Sequence, residues 1–119
     1  MMQTATGLLT VSAVGGLTMA AIRFSGKPHP PTWLAMLHGF LSAAALTLLT
    51  YACFTVGLPG MAQFALLLFF VAAVGGAFMN LNFHWKLLPL PKWLVLVHGG
   101  IAVAGFLLLV IATWRMSHG

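Results

Sequence analysis

Two histidines, His38 and His98, are the side chains best placed to do chemistry, and they stand 60 residues apart. Each follows a tryptophan by five residues and precedes a glycine, Gly39 or Gly99. Neutral imidazole is the commonest metal ligand among side chains. The chain has no Asp or Glu and a single cysteine, Cys53, which excludes carboxylate catalysis, carboxylate-built Ca²⁺ or Mg²⁺ sites and sites with several cysteines.

The composition places these histidines in a lipid environment. Of 119 residues, 61% are hydrophobic and 4% are charged, and five Lys and Arg cannot cover a soluble globule. Uncharged apolar stretches of about 20 residues or more lie before Arg23, between Lys27 and Lys86, and between Lys92 and Arg115, and this is the length that crosses a bilayer. These stretches predict four helices, at about 3–22, 33–56, 61–82 and 93–114. The net charge of +5 indicates topology determinants and no nucleic-acid partner.

The chain also aligns with itself at an offset of 60 residues, without a gap. Aligned pairs include Gly15 with Gly75, Gly16 with Gly76, Trp33 with Trp93, and His38 with His98. Each unit, about 1–57 and 61–117, holds two spans, so the units share one orientation and a pseudo-two-fold axis along the membrane normal. With a short turn at Gly57 to Gly60, we expect residues 1–119 to form one all-α integral membrane domain, an up-down-up-down four-helix bundle.

The predicted axis places His38 and His98 at equal depth on diagonal helices, about 7 to 8 Å inside the boundary. An ionisable residue inside a span is a site hypothesis, and the alternative is an interhelical hydrogen bond. A bare metal ion with two histidine ligands is poorly coordinated, whereas haem supplies four nitrogens and needs two axial ligands. The residues therefore favour one haem b with His38 and His98 as metal ligands.

Small residues lie at the predicted depth of the histidines. The pairs Gly15-Gly16 and Gly75-Gly76 are about seven residues, or about 10 Å, from the same interface. Ser42 lies one turn from His38, and Gly39 and Gly99 follow the two histidines. This coincidence favours a flat prosthetic group, and the alternative is close packing of the helices themselves.

Four of the five basic residues lie in or beside the first and third connections. They could pair with haem propionates, or they could only set the topology. Either way, the basic connections are expected to be cytoplasmic and both termini periplasmic. These four residues are Arg23, Lys27, Lys86 and Lys92.

For the other three histidines the sequence predicts simpler environments. His29 and His118 lie in a proline-rich loop and at the terminus, where a solvated side chain is expected. His84 is expected at the membrane interface, or else in contact with a polar group of a ligand. The second unit has Asn80, Asn82 and His84 where the first has Ala20, Ile22 and Phe24. A quinone head group, a propionate or a neighbouring subunit would each satisfy these polar residues.

The paired His-Gly positions and the paired glycines resemble those of small bacterial four-helix membrane b-type cytochromes, which are cytochrome b561-like. That resemblance implies a multi-pass protein of the bacterial inner membrane that exchanges electrons with quinol or a redox partner. Such families commonly bind two haems, but one equivalent histidine pair predicts a single haem here. An electron carrier or subunit is expected more than an independent enzyme, with a larger membrane complex or a homodimer as further candidate assemblies.

The sequence leaves open two alternative functions that differ in class from electron transfer. The chain is alternatively a pigment-binding or structural small subunit, in which one histidine binds the magnesium of a chlorophyll or ties helices together. A small transporter is the weakest alternative, because four-helix exporters depend on an embedded Glu and this chain has none.

Overall fold

The computed structural model describes residues 2–118, with side chains as far as residue 116, and every element in this range is a helix. The elements are α1 (Met2–Phe24), α2 (Thr32–Thr55), α3 (Gly60–Met79), a π-helical turn (Asn80–His84) and α4 (Lys92–His118). Four helices are long and apolar enough to cross a membrane, the π-helical turn being counted with α3. The four predicted helices are therefore confirmed, with boundaries shifted by a few residues.

The helices form an elongated bundle of 45 × 22 × 21 Å. The most extensive packing is between α1 and α2 and between α3 and α4, and contacts of α1 with α4 and of α2 with α3 complete the bundle. Consequently α2 and α4, which carry His38 and His98, lie across a diagonal of the bundle.

Prolines and one glycine set the helix ends. Pro31 and Pro59 precede α2 and α3 with φ of −58° and −56°, the value that the proline ring imposes. Gly57 has φ of +82°, and its N–H donates to the carbonyl of Ala52 at 2.8 Å. Only glycine adopts this left-handed conformation without strain, so α2 stops there and α3 turns back against it.

The tightly packed core occupies the half of the bundle that contains this short turn. Alanines and leucines with no exposed surface bring the four helices close together, which is how packing stabilises helices in lipid. These fully buried residues are Ala5, Ala45, Leu49, Ala52, Ala62, Ala65 and Leu109. The histidines and the glycine pairs lie in the other half, towards the two long connections.

The two long connections touch each other at that second end. The N–H of Leu90 donates to the carbonyl of Pro28 at 3.0 Å. Arg23 donates through Nε to the carbonyl of Leu90 at 2.7 Å and through Nη1 to that of Lys27 at 3.2 Å. The Arg23 guanidinium thus ties the first connection to the third and stabilises the end of the bundle nearest the histidines.

We expect Leu109→Ala to destabilise the protein by about 2–4 kcal/mol, because it removes packed methyl groups and leaves a cavity. Leu107→Ala on the same helix is the control, since Leu107 is 56% exposed on the outer face. Unfolding of both variants in one detergent measures the difference, and equal stability of the two would contradict the position assigned to the core.

Candidate metal centre

His38 and His98 lie close together across the diagonal of the bundle. Their ring centroids are 6.4 Å apart and their planes are inclined at 77°. Imidazole nitrogens bind metals at about 2.0–2.1 Å, and the ring centre lies about 1.1 Å behind the nitrogen, so two rings on opposite sides of one metal have centres about 6.3 Å apart. The observed centroid separation is close to this value, which requires both Nε2 atoms to face the shared metal.

Hydrogen bonds to neighbouring helices determine which nitrogen of each ring carries the proton. Nδ1 of His38 lies 2.7 Å from the carbonyl oxygen of Ser12, and Nδ1 of His98 lies 2.7 Å from that of Ala72. A carbonyl oxygen only accepts, so each Nδ1 donates and each Nε2 keeps a lone pair. None of the hydrogen bonds among the described residues uses Nε2 of either ring. Metal-binding histidines typically have this arrangement.

The glycine pairs lie at the depth of the histidines, and they contact the imidazole rings directly. A Cβ added at Gly16 would be 3.0 Å from Cε1 of His38, and one added at Gly76 would be 3.1 Å from Cε1 of His98. Gly15 and Gly75 are less tightly packed, with nearest atoms of the same histidines at 3.9 and 3.8 Å. The second glycine of each pair therefore leaves room for an imidazole ring to approach the neighbouring helix closely.

Ser12 belongs to the His38 site, a position that residue spacing alone did not predict. Its side chain is 2% exposed, and its Oγ lies 3.0 Å from Nδ1 of His38 and hydrogen-bonds Ser42. Oγ also donates to the carbonyl of His38 at 3.2 Å. Ser12 stands one helical turn before Gly16. This spacing is the sequence feature that could have placed Ser12 beside His38. The equivalent residue in the second half is Ala72, so the His98 site lacks this hydroxyl.

The glycines that follow the histidines lie outside this arrangement. A Cβ at Gly39 or at Gly99 would meet nothing within 4 Å. Neither glycine therefore packs against another helix.

The four basic residues that could pair with haem propionates lie at the same end of the bundle as the histidines. Their surroundings differ. Arg23 links the two long connections. Lys92 places its Nζ 5.7 Å from the centre of the Phe24 ring, a cation–π contact. Lys27 and Lys86 are exposed.

A second group of polar residues lies nearer the connections. His84 is 3% exposed, its ring centroid is 5.0 Å from that of His29, and its Nε2 is 3.4 Å from Oγ1 of Thr32. His29 is half-buried, and its ring packs against that of His84 while it also lines an open cleft. His84 is more deeply buried than an interfacial residue, because the π-helical turn directs it inward. The side chain of His118 lies outside those described.

The side chains that could bind a metal between α2 and α4 are two imidazoles, those of His38 and His98. Within the described part of the chain, no group of three or more His, Cys, Asp or Glu side chains is arranged to hold a metal ion. Two open clefts, of about 360 and 440 Å³, lie at the two ends of the bundle, and neither is lined by His38 or His98.

Comparison of the chain with protein-family models, with curated proteins and with solved structures found no match. The resemblance to b-type cytochromes therefore stays a prediction that rests on the residues themselves.

We expect Gly16→Ala and Gly76→Ala each to destabilise the protein by about 1–3 kcal/mol, since the added methyl group displaces an imidazole ring. Gly39→Ala is the matched control, because nothing lies within 4 Å of its Cβ position. Thermal unfolding in one detergent compares the three variants. Equal unfolding temperatures for Gly16→Ala and Gly39→Ala would contradict the close approach of His38 to α1.

Proposed function

We propose that the protein is a membrane electron carrier that binds one haem b between α2 and α4, with His38 and His98 as axial ligands. The observation that carries this proposal is the pair of imidazoles 6.4 Å apart, each with Nδ1 donating to a backbone carbonyl of the neighbouring helix.

The donor set favours haem over a bare metal ion. Zinc and related ions take four or more ligands from protein or water, and the chain has no carboxylate to complete such a set. A porphyrin brings four nitrogens and asks for two axial ligands, which is the number of imidazoles present. Cys53 is the only thiol and stands on the turn side of α2, 15 residues from His38.

The protein residues would orient both ligands before haem binds. The carbonyls of Ser12 and Ala72 hold each Nδ1–H, which directs the ring and increases the basicity of its Nε2. Gly16 and Gly76 let the rings lie against the neighbouring helices. Both rings are already near the centroid separation that joint ligation of one iron requires.

A haem bound in this way supplies one-electron chemistry at an iron with both axial positions filled, which favours electron transfer over oxygen activation. At the loop end, Lys27, Lys86 and Lys92 supply positive charge without any acidic competitor in the chain, and this would complement propionates.

The membrane setting supports the same function. Four apolar helices are compatible with a multi-pass protein. The two histidine sites use equivalent residues at the offset of 60, which supports two parallel units related by an axis along the normal. We infer an inner-membrane protein with the basic connections in the cytoplasm and both termini in the periplasm, exchanging electrons with quinol or a redox protein.

Purified protein, expressed with sufficient haem, is expected to contain one haem per chain and to show the reduced-minus-oxidised spectrum of a low-spin b-type cytochrome. His38→Ala and His98→Ala should each abolish that spectrum, because both ligands bind one iron. His29→Ala is the control, since it changes a histidine outside the pair and should leave the spectrum unchanged.

Colourless protein would contradict the proposal. So would retention of the low-spin spectrum in either single variant, because independent sites are the expectation for a pigment-binding or structural subunit.

A further inference from the structure

The two histidine sites share their backbone hydrogen bonds but differ by one hydroxyl. Nδ1 of His38 lies 2.7 Å from the carbonyl oxygen of Ser12 and 3.0 Å from the Oγ of the same residue. Nδ1 of His98 lies 2.7 Å from the carbonyl oxygen of Ala72, and an alanine side chain has no acceptor to add. The second half of the chain therefore shows what the site is like without the hydroxyl.

The hydroxyl of Ser12 is an acceptor toward His38. It donates its own hydrogen to the carbonyl oxygen of His38, at 3.2 Å. Because a hydroxyl has one hydrogen and two lone pairs, Oγ accepts from the Nδ1–H of His38 and from the hydroxyl of Ser42. The Nδ1–H of His38 is thus shared between two oxygens of one residue, whereas that of His98 has a single acceptor.

The surroundings of Ser12 strengthen this contact. Its side chain is 2% exposed, so water does not compete for the hydroxyl. A hydroxyl that donates to a carbonyl is polarised by that bond and becomes a better acceptor. Ser12 also holds His38 at two points from the neighbouring helix α1, at Nδ1 of the ring and at the backbone carbonyl.

Both hydroxyls of this arrangement are missing from the second half, where Ala72 and Ala102 stand in place of Ser12 and Ser42. The packing of the two rings is otherwise alike. A Cβ added at the second glycine of either pair would be 3.0 or 3.1 Å from Cε1 of the adjacent histidine. The hydroxyl of Ser12 therefore distinguishes two imidazoles that are otherwise held in the same way.

We propose that Ser12 is a positioning residue that makes His38 the more strongly donating imidazole of the pair, so that Ser12 lowers the reduction potential of the haem; this effect on the potential rests on the function proposed above. A stronger hydrogen bond from Nδ1–H increases the basicity of Nε2. A more basic axial ligand stabilises ferric iron, which carries the additional positive charge, relative to ferrous iron.

The first measurement is the midpoint potential of the haem-loaded, full-length protein in detergent. Ser12→Ala should raise the potential by about 30–60 mV, a three- to tenfold change in the reduction equilibrium at about 59 mV per tenfold. Ala72→Ser, which gives His98 a hydroxyl, should lower it by a similar amount. The control is Thr10→Ala, which removes a hydroxyl that donates to the carbonyl of Thr6 within α1, and we expect an unchanged potential.

The second measurement uses haem-free protein with isotopically labelled histidine, in which NMR follows exchange of the Nδ1 protons with solvent. Loss of one acceptor in Ser12→Ala should accelerate exchange at His38 about fivefold and leave exchange at His98 unchanged. Ala72→Ser should slow exchange at His98 by a similar factor. Because alanine already occupies the equivalent position of the second half, we expect Ser12→Ala to fold.

Unchanged exchange at His38 in Ser12→Ala would overturn the proposal, whatever the haem content. An unchanged or lowered midpoint potential in haem-loaded Ser12→Ala would overturn it as well, and so would an equal rise in Thr10→Ala. If the unmodified protein binds no haem, the exchange measurement decides alone. Accelerated exchange then supports the role of Ser12, and only the proposed electron carrier is refuted.

Discussion

The arrangement at the centre of the molecule depends on two hydrogen bonds, from Nδ1 of His38 and of His98 to carbonyl oxygens one helix away. Backbone carbonyls inside a helix are normally occupied by the helix itself, but each has a second lone pair that can accept. Each of these hydrogen bonds costs little free energy and holds its imidazole ring in one orientation. It selects the tautomer and needs no acidic residue in a chain that has none.

These hydrogen bonds form only where the helices approach closely, and small residues allow that approach. Gly16 and Gly76 let the rings lie against α1 and α3. In the opposite half of the bundle, alanines without exposed surface bring all four helices together. The molecule therefore combines a tightly packed end with an end where the space between helices is occupied by imidazoles and polar side chains. Packing in the tightly packed half of the bundle therefore supports the histidine site in the other half.

Much of this arrangement was predictable from the sequence, because apolar length and repetition are strong signals. The four helices and the shared depth of the glycines and histidines follow from residue spacing alone. Other features depend on side-chain direction, which spacing does not reveal. Ser12 has a small polar side chain like several others on α1, and only its contact with His38 distinguishes it. The burial of His84 depends on a π-helical turn, and the inward position of His29 depends on contacts between two connections distant in sequence.

Electron paramagnetic resonance of the oxidised, haem-loaded protein tests the central claim most directly, because the signal reports both the ligands of the iron and the angle between their planes. Imidazole planes inclined at 77° predict one strongly anisotropic low-spin ferric signal. A high-spin ferric signal, which indicates an axial position without imidazole, would contradict the joint ligation of one iron by His38 and His98.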